Sequence, residues 1–286
     1  MKPVTAIRKW RAAPVVSVLR LQGVIAPGGS AMRRGNLNLA SLERRIAQAF
    51  RPKRLGAVVL IINSPGGSPV QSDLITAAIR ARAEERQVPV YAFTEDVAAS
   101  GGYWLATAAD EIYATPASIV GSIGVITAGF GFQGLMDRAG VERRVHTAGE
   151  RKAFLDPFSP ESEEDLERLK KIQELMHEIF INQVKSRRGD RLNRRRYKDI
   201  FSGDMFLGEE AERLGLIDGI GTASAFIREK FGKDARVRRI DQKSSPLRNL
   251  FGGGATAAGG EAIGTGIAAE MMASLDERAQ WGRFGL

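Results

Sequence analysis

Ser100 is the residue whose type and surroundings are best suited to chemistry. It follows a strand-like run, Val88–Phe93, and precedes two glycines and a small-residue helical run over Tyr103–Asp110. A serine in such a turn exposes its hydroxyl, and the first N–H groups of the helix favour a developing negative charge. Most serines at such junctions only cap the helix. The pattern indicates a candidate nucleophile that needs partners from elsewhere in the chain.

A glycine turn at Gly66 and Gly67 is predicted to lie beside this serine. The turn follows Ala57–Ile62, whose continuous apolar run is typical of a strand buried on both faces. Loops after successive strands of an α/β sheet gather along one edge. We therefore expect the backbone N–H groups of Gly66, Gly67 and Gly101 to form an oxyanion hole beside the Ser100 hydroxyl. Without Ser100, the same residues predict only a plain turn.

Three residues are candidates for the base that Ser100 would need. His146 lies in a predicted strand, Val141–Thr147, and is interpreted as a sheet residue, whereas His177 lies on a long helix and is interpreted as solvated. Lys152 lies in the loop after that strand, among apolar and cationic neighbours. A lysine acts as a base only when burial or a neighbouring cation lowers its pKa. Residue types and spacing alone leave this choice open.

The elements that must position these residues alternate along the chain up to about residue 231. The predicted strands are Val15–Leu21, Ala57–Ile62, Val88–Phe93, Glu111–Ala114, Ile119–Ile126, Val141–Thr147 and one that begins at Leu216. The predicted helices are Leu39–Phe50, Gln71–Arg86, Phe130–Ala139, Ser162–Arg187, Leu207–Leu214 and Ala223–Phe231. Such alternation predicts one α/β domain with right-handed crossovers.

Composition divides the chain into three parts. Residues 1–14 form a basic N-terminal extension, residues 15–240 the α/β domain, and residues 241–286 a tail rich in glycine and alanine. Such a composition is typical of a flexible segment, in which Ile267–Arg283 has the pattern of a weak helix. The tail is predicted to be disordered, with binding in a neighbouring active site as the alternative.

Cysteine and histidine usage excludes several kinds of site. The chain has no cysteine and two histidines, which rules out a disulfide framework, a thiolate metal site and a multi-histidine metal site. We expect no cofactor and no metal. No run approaches the ~18 apolar residues of a membrane span, and no apolar segment typical of a signal peptide follows the basic N-terminus. The sequence therefore predicts a cytoplasmic protein.

A net charge of +9 and a pI of about 10.0 favour anionic partners. The strongest feature is a basic cluster: Arg187, Arg188, Arg191, Arg194, Arg195, Arg196 and Lys198. Such a cluster can bind an anionic inner membrane surface peripherally, or simply form a solvated helix face. No aromatic residues are interleaved with it, so no nucleic acid partner is expected.

Five short motifs occur along the chain in a defined order. They are Asn63–Gly67, Ala98–Tyr103, Val120–Val125, Gly149–Lys152 with Pro157-Phe158, and Phe206–Asp218. Together they resemble the signal peptide peptidase A family of serine peptidases over about residues 15–230. The resemblance implies an α/β fold of the ClpP/crotonase type, a spiral of β-β-α units.

The resemblance also implies roles for individual residues. Ser100 matches the nucleophile of the family, Lys152 its general base, Ser122 a serine that orients this lysine, and Gly66 and Gly67 its oxyanion turn. It implies a homo-oligomer, in which serine and lysine can come from neighbouring chains.

The activity implied is serine endopeptidase cleavage through an acyl-enzyme. The substrates would be peptides such as signal-peptide remnants, or segments of unfolded or membrane proteins. The chain departs from the family in having Arg151 where an aromatic residue is frequent, and in showing no N-terminal membrane anchor. The alternatives are a crotonase-type acyl-CoA hydratase or isomerase, and a non-catalytic basic scaffold.

Overall fold

One sheet of mostly parallel strands is the centre of the computed structural model, which describes residues 13–27, 36–149 and 151–240 together with Trp281 and Phe284. Its strands are β1 Val15–Gln22, β2 Leu55–Ser64, β3 Val90–Ala99, β4 Glu111–Ala114, β5 Ile119–Gly121, β6 Met205–Leu207, β7 Gly219–Ile220 and β8 Arg236–Ile240. The helices are α1 Leu39–Phe50, α2 Pro69–Arg86, α3 Gly101–Ala106, α4 Gln133–Ala139, α5 Glu163–Arg188, α6 Tyr197–Ile200, α7 Gly208–Arg213 and α8 Ala223–Phe231.

The order of the strands brings the predicted loops to one edge of the sheet. The order is β6-β5-β3-β2-β1-β8, with β4 on β3 and β7 on β4. All these pairs are parallel except β5 with β6, which are antiparallel. Strand β3 pairs with β4 along its first half and with β5 along its last three residues. The carboxyl ends of β2, β3 and β5 therefore lie side by side.

The two faces of the sheet are covered very differently. On one face α1, α2 and α3 bury a large apolar core that includes Leu60, Ile75 and Leu105; such side chains contribute about 1.5–3 kcal/mol each when fully buried. On the other face a smaller cluster contains Tyr91 and Phe93, packed against α8. From Ala57 to Ser64, β2 is buried throughout, which confirms the predicted two-sided burial.

Helix starts agree with the sequence where a polar cap is present. Asn38 accepts a hydrogen bond from the Ser41 N–H ahead of α1, and Ser162 accepts one from the Asp165 N–H ahead of α5. These caps satisfy N–H groups that the helix itself leaves free. The predicted helices over Leu39–Phe50 and from Ser162 are thereby confirmed.

Several predicted boundaries were wrong. Val141–Thr147 is not a strand: the segment is exposed and pairs with no strand of the described chain. Strand β5 ends at Gly121 rather than Ile126, because Gly121 and Ser122 both have positive φ and turn the backbone away from the sheet. The edge strand β8 was missed. Its arginine-rich sequence lacks the apolar alternation of a strand.

Three sequence predictions fall on residues that the structure does not describe. These are most of the basic extension over residues 1–14, the flexible tail over residues 241–286, and the weak helix over Ile267–Arg283. The domain boundaries accordingly stay predictions.

Candidate active site

Ser100 stands in a strained turn between β3 and α3. Its φ of 52° and ψ of −123° lie outside the regions that residues with a Cβ prefer. Such a strand-to-helix turn lifts a nucleophile above the end of a sheet. The turn is held firmly, because the Ser100 N–H donates to Gly121 O at 2.8 Å and the fully buried Tyr103 donates its hydroxyl to Leu216 O at 2.7 Å.

The glycine turn lies against Ser100, as the sequence predicted. A Cβ added at Gly66 would stand 2.8 Å from the Ser100 Cβ and 2.9 Å from the Gly101 nitrogen. Gly66 and Gly67 have φ values of 110° and 135°, which only glycine adopts readily. The turn is fixed by Ile25, whose N–H donates to Gly66 O and whose carbonyl accepts from the Ser68 N–H. Both glycines are needed here because the backbones approach closely.

The N–H groups around Ser100 differ in their availability. The Gly66 N–H donates to the Ser64 hydroxyl at 3.2 Å. In the described part of the chain no hydrogen bond uses the N–H of Gly67 or of Gly101. A Cβ added at Gly101 would lie 3.3 Å from the Gly67 nitrogen, so these two groups are neighbours. Free N–H groups beside a serine hydroxyl are what an oxyanion requires.

Ser122 occupies the corresponding place on the neighbouring strand. Because Ala99 pairs with Gly121, Ser100 and Ser122 each follow the last paired residue of adjacent parallel strands, which run about 4.8 Å apart. Ser122 also has a positive φ, 51°, and its N–H donates to Asp204 O at 2.7 Å. The structure therefore brings Ser100, Ser122 and the glycine turn together.

Lys152 is not brought to this group within the chain. Its side chain is exposed and makes no hydrogen bond or ion pair with any described residue. Its loop lies at the beginning of α5, where the Leu155 N–H donates to Asp165. Asp165 and His177 are 12 positions apart on this helix, or about 18 Å along its axis. At His177, α5 reaches the segment that follows Ser122, where the histidine ring contacts the Ile123 carbonyl.

Neither histidine makes a hydrogen bond with Ser100 in the described part of the chain. His146 is exposed and lies in no strand, which corrects its assignment as a sheet residue. His177 is half-buried, and its Nε2 forms a hydrogen bond of 2.9 Å with the carbonyl of Ile123, which corrects its assignment as solvated. Its position on α5 carried no sequence signal for this contact, which depends on how the helix crosses the sheet edge.

The loop that carries Lys152 is organised by Asp156. Burial alone would raise the pKa of this carboxyl. The Phe158 N–H, the Ser159 hydroxyl and the Arg143 guanidinium all donate to it, and together they lower its pKa below the ordinary value. Arg143 also lies over the Phe158 ring. Asp156 is therefore the ionised centre of a local network on the surface.

Sequence reasoning missed Asn63, although it opens the Asn63–Gly67 motif. Its side chain donates to Asp96 at 2.6 Å and accepts from the Val97 N–H at 3.3 Å. Between Ile62 and Ser64 the register of β2 on β3 shifts, so β3 carries extra residues at this point. The Asn63 amide replaces a backbone partner across this bulge. It thereby holds the segment of β3 that leads directly to Ser100.

The basic cluster is mostly paired inside the protein. Arg188 is buried and binds Asp218 at 2.6 Å, Arg187 donates to the Thr107 carbonyl at 2.8 Å, and Arg191 donates to that of Asp110 at 2.9 Å. Arg194 and Arg196 bind Asp190 and Asp199. Most of these arginines connect α5 and the following turns to the rest of the fold.

Comparison with known proteins gives the family. The model of peptidase family S49 matches residues 82–237, more than half of the chain and including Ser100, Ser122 and Lys152. The chain belongs to peptidase family S49. It is therefore a member of the signal peptide peptidase A family of serine peptidases, as the five motifs predicted.

Three relatives illustrate the range of this similarity. A protein of Brucella abortus named Na(+)/H(+) antiporter NhaA is 46% identical over 283 residues, which are 98% of this chain but 38% of that protein. An Enterococcus faecium protein named as a signal peptide peptidase SppA is 30% identical over 71% of this chain and 59% of its own length. The chloroplastic serine protease SPPA of Arabidopsis thaliana is 29% identical over 83% and 35%. The chain thus spans well under two thirds of each of these relatives.

A solved structure supports the fold. A mutant of a membrane-bound stomatin-specific protease, in complex with a substrate peptide, matches with a TM-score of 0.50 and 16% identity over 84% of this chain and 96% of the other. The fold is thus of the predicted ClpP/crotonase-like type. None of the helices in the described ranges is both long enough and apolar enough to cross a membrane.

Proposed function

We propose that this S49 peptidase cleaves peptides with a Ser100–Lys152 dyad through an acyl-enzyme. The observation that carries the proposal is the strained turn of Ser100 beside the N–H groups of Gly67 and Gly101, which form no hydrogen bond with any described residue. A strained nucleophile next to free backbone donors has the features that acyl transfer needs.

In the proposed reaction, neutral Lys152 removes the proton from the Ser100 hydroxyl as its oxygen attacks the peptide carbonyl carbon. The N–H groups of Gly67 and Gly101 stabilise the tetrahedral oxyanion, while that of Gly66 is engaged by Ser64. Lys152 then protonates the leaving amine. It next activates the water that releases the acyl group from Ser100, while Ser122 orients the lysine amine.

We propose that the substrate binds in an extended conformation beside β5 and the segment after Gly67, as an added strand. A structural neighbour, a stomatin-specific protease, is named as being in complex with a substrate peptide. Signal-peptide remnants and segments of unfolded or membrane proteins are the substrates proposed for this chain. Such segments are extended and offer free backbone groups for strand addition.

We propose that Lys152 reaches Ser100 of a neighbouring chain in a homo-oligomer. Within one chain the exposed Lys152 side chain makes no contact with Ser100 among the described residues, and the segment between β5 and α5 exposes large apolar side chains. Ile126 and Phe130 are 72% and 73% exposed, and Leu135, Val141 and Val145 are also exposed. Apolar patches of this kind usually mark contacts between proteins. A neighbouring chain would also desolvate Lys152 and so favour its neutral form.

A peripheral contact with an anionic membrane surface, from the cytoplasmic side, is a further proposal. Arg195 and Lys198 make no ion pair with any described residue, in contrast to most of the basic cluster. Binding to vesicles with and without anionic lipid, at two salt concentrations, tests this contact. Equal binding to both kinds of vesicle would reject it.

The central test is hydrolysis of casein and of fluorogenic peptides by the wild type, Ser100→Ala and Lys152→Ala. Both variants should lose activity, and the wild-type rate should rise toward alkaline pH as the lysine loses its proton. His146→Ala serves as the matched control and should keep the wild-type rate. Activity that survives Lys152→Ala but not Ser100→Ala would place the base elsewhere. If neither variant loses activity, the proposed dyad is refuted.

A further inference from the structure

A groove of about 950 Å³ lies on the sheet face opposite α1, α2 and α3. Strands β1, β2, β3 and β8 form its floor, and α8 forms one wall. None of the predicted site residues lines it. The groove is therefore separate from the candidate active site.

The floor of this groove is apolar because side chains alternate along each strand. Val18, Ile61, Phe93 and Val237 all point to this face. Helix α8 covers only part of it: Phe226 packs its ring on Tyr91, Phe93 and Tyr113. Beyond this aromatic cluster no other described element covers the sheet face. Val237 on the edge strand is 48% exposed there.

The rim of the groove carries excess positive charge. Arg228, Lys233 and Arg239 are exposed, and no acidic group pairs with them in the described ranges. Arg20 and Glu95, also at the rim, neutralise each other. An occupant with an apolar face and acidic flanks would therefore complement the groove in both shape and charge.

The chain itself contains such a segment at residues 267–281, which lie outside the described residues except for Trp281. Its apolar residues Ile267, Met271, Leu275 and Ala279 recur every four positions, with Met272 beside them. On a helix they would share one stripe. Glu270, Asp276 and Glu277 against Arg278 leave a net charge of −2.

We propose that residues 267–281 dock as an amphipathic helix in this groove of the same chain. The described domain ends at Ile240, the last residue of β8, which forms part of the floor of the groove. The connecting residues 241–266 are enough to span about 85–95 Å at most. The segment can therefore reach the groove. Its docking covers the open part of the sheet face.

The chain has no cysteine, so an engineered pair tests this docking in the full-length protein. We would combine Val237→Cys on the groove floor with Leu275→Cys on the apolar stripe. The matched control combines Val237→Cys with Ala273→Cys, which lies on the opposite side of the predicted helix. Under mild oxidation, the first pair should form an intrachain disulfide at least about ten times faster than the second.

Two further variants test the charge component. Arg228→Glu with Arg239→Glu should slow formation of the 237–275 disulfide severalfold, whereas Arg213→Glu on α7 should not change it. Circular dichroism and casein hydrolysis confirm that each variant is folded. Equal rates for the two cysteine pairs would overturn the proposal. Disulfides found only between chains, as dimers whose yield rises with protein concentration, would overturn docking within one chain.

Discussion

The two halves of the proposed dyad lie in regions of opposite character. Around Ser100 the chain is buried: Val97, Ala98, Ala99 and Tyr103 are inaccessible to solvent, and both the N–H and the carbonyl of Ser100 form backbone hydrogen bonds. Around Lys152 the side chains are exposed and joined by surface ion pairs such as Arg151 with Glu164. Exposed pairs of this kind contribute only about 0–1 kcal/mol each.

This contrast supports the proposal that the site is divided between chains. One chain is sufficient to build the strained serine turn and the proposed oxyanion donors beside it, because the core on which they rest is complete. It does not give Lys152 the desolvated surroundings that a lysine base requires. A neighbouring chain that covers the exposed apolar residues would provide both the contact and the desolvation.

The largest expected effect comes from mixing two inactive variants. If serine and lysine belong to different chains, a mixed oligomer of Ser100→Ala and Lys152→Ala should recover about a quarter of the wild-type rate, because half of the serines and half of the lysines are intact. Casein hydrolysis after dissociation and reassembly measures it.

Each variant reassembled alone serves as the control and should stay inactive. Recovery should fail when one partner also carries Phe130→Asp, which places a charge in the proposed interface. No recovery from the mixture, in an oligomer that both variants are shown to share, would place both residues of the dyad in one chain.

A steric change at Gly67 tests the region around Ser100. In Gly67→Ala the new Cβ would overlap the Ile25 carbonyl oxygen at a φ of 135°, so the turn must shift and carry its N–H away from the oxyanion. We expect kcat/KM to fall about 100-fold, within the range for loss of one oxyanion donor. Gly131→Ala, with nothing within 4 Å of the added Cβ, should keep the wild-type rate. Similar losses of kcat/KM in both variants would show that this turn has no special role in catalysis.

The Asn63 amide offers a smaller and more specific effect. Asn63→Ala leaves the Val97 N–H without its partner, which costs about 1–3 kcal/mol of stability, and loosens the strand that ends at Ser100. We expect kcat to fall about 10-fold with little change in KM, because the reacting hydroxyl is misplaced. Asp96→Asn keeps an acceptor for the Asn63 amide and should stay close to the wild type. An unchanged kcat in a destabilised Asn63→Ala would make Asn63 purely structural.

The region around Ser100 could be predicted from the sequence far better than the region around Lys152. Ala57–Ile62 and the Ser162 cap have strong local signals, and the Ser100 and Gly66 turns follow from where two buried strands end. Val141–Thr147 was predicted to be a strand, but in the structure it is exposed and pairs with no described strand. A sequence pattern shows which side chains are apolar enough to be buried. It does not show whether the surface that covers them belongs to the same chain. The contact of His177 with Ile123 depends on helix crossing, which no local pattern records.

Protonation of Asp156 tests how loosely the loop that carries Lys152 is held. Since hydrogen bonds hold its pKa below the ordinary 3.8, their stabilising effect is fully present above that value and is lost as pH falls through the lower pKa of the folded state. The amide resonance of Phe158 should shift with a midpoint below 3.8 while resonances of α3 do not move. In Asp156→Asn this titration should disappear. A shift that persists in that variant would assign the titration to another group.

We expect the smallest effect from the backbone strain at Ser100. This effect concerns only the region around Ser100. Both Ser100→Ala and Ser100→Gly remove the hydroxyl, but only glycine accepts a φ of 52° without strain. Relief of about 1–2 kcal/mol in the folded state is partly offset by the greater freedom of glycine in the unfolded chain. Ser100→Gly should therefore be more stable to urea than Ser100→Ala by about 0.5–1 kcal/mol. At Ser159, which is exposed and has no positive φ, the alanine variant should be the more stable one. If the alanine and glycine variants had the same order of stability at both positions, the Ser100 turn would store no strain. The rigidity of the region around Ser100 would then rest on its hydrogen bonds alone.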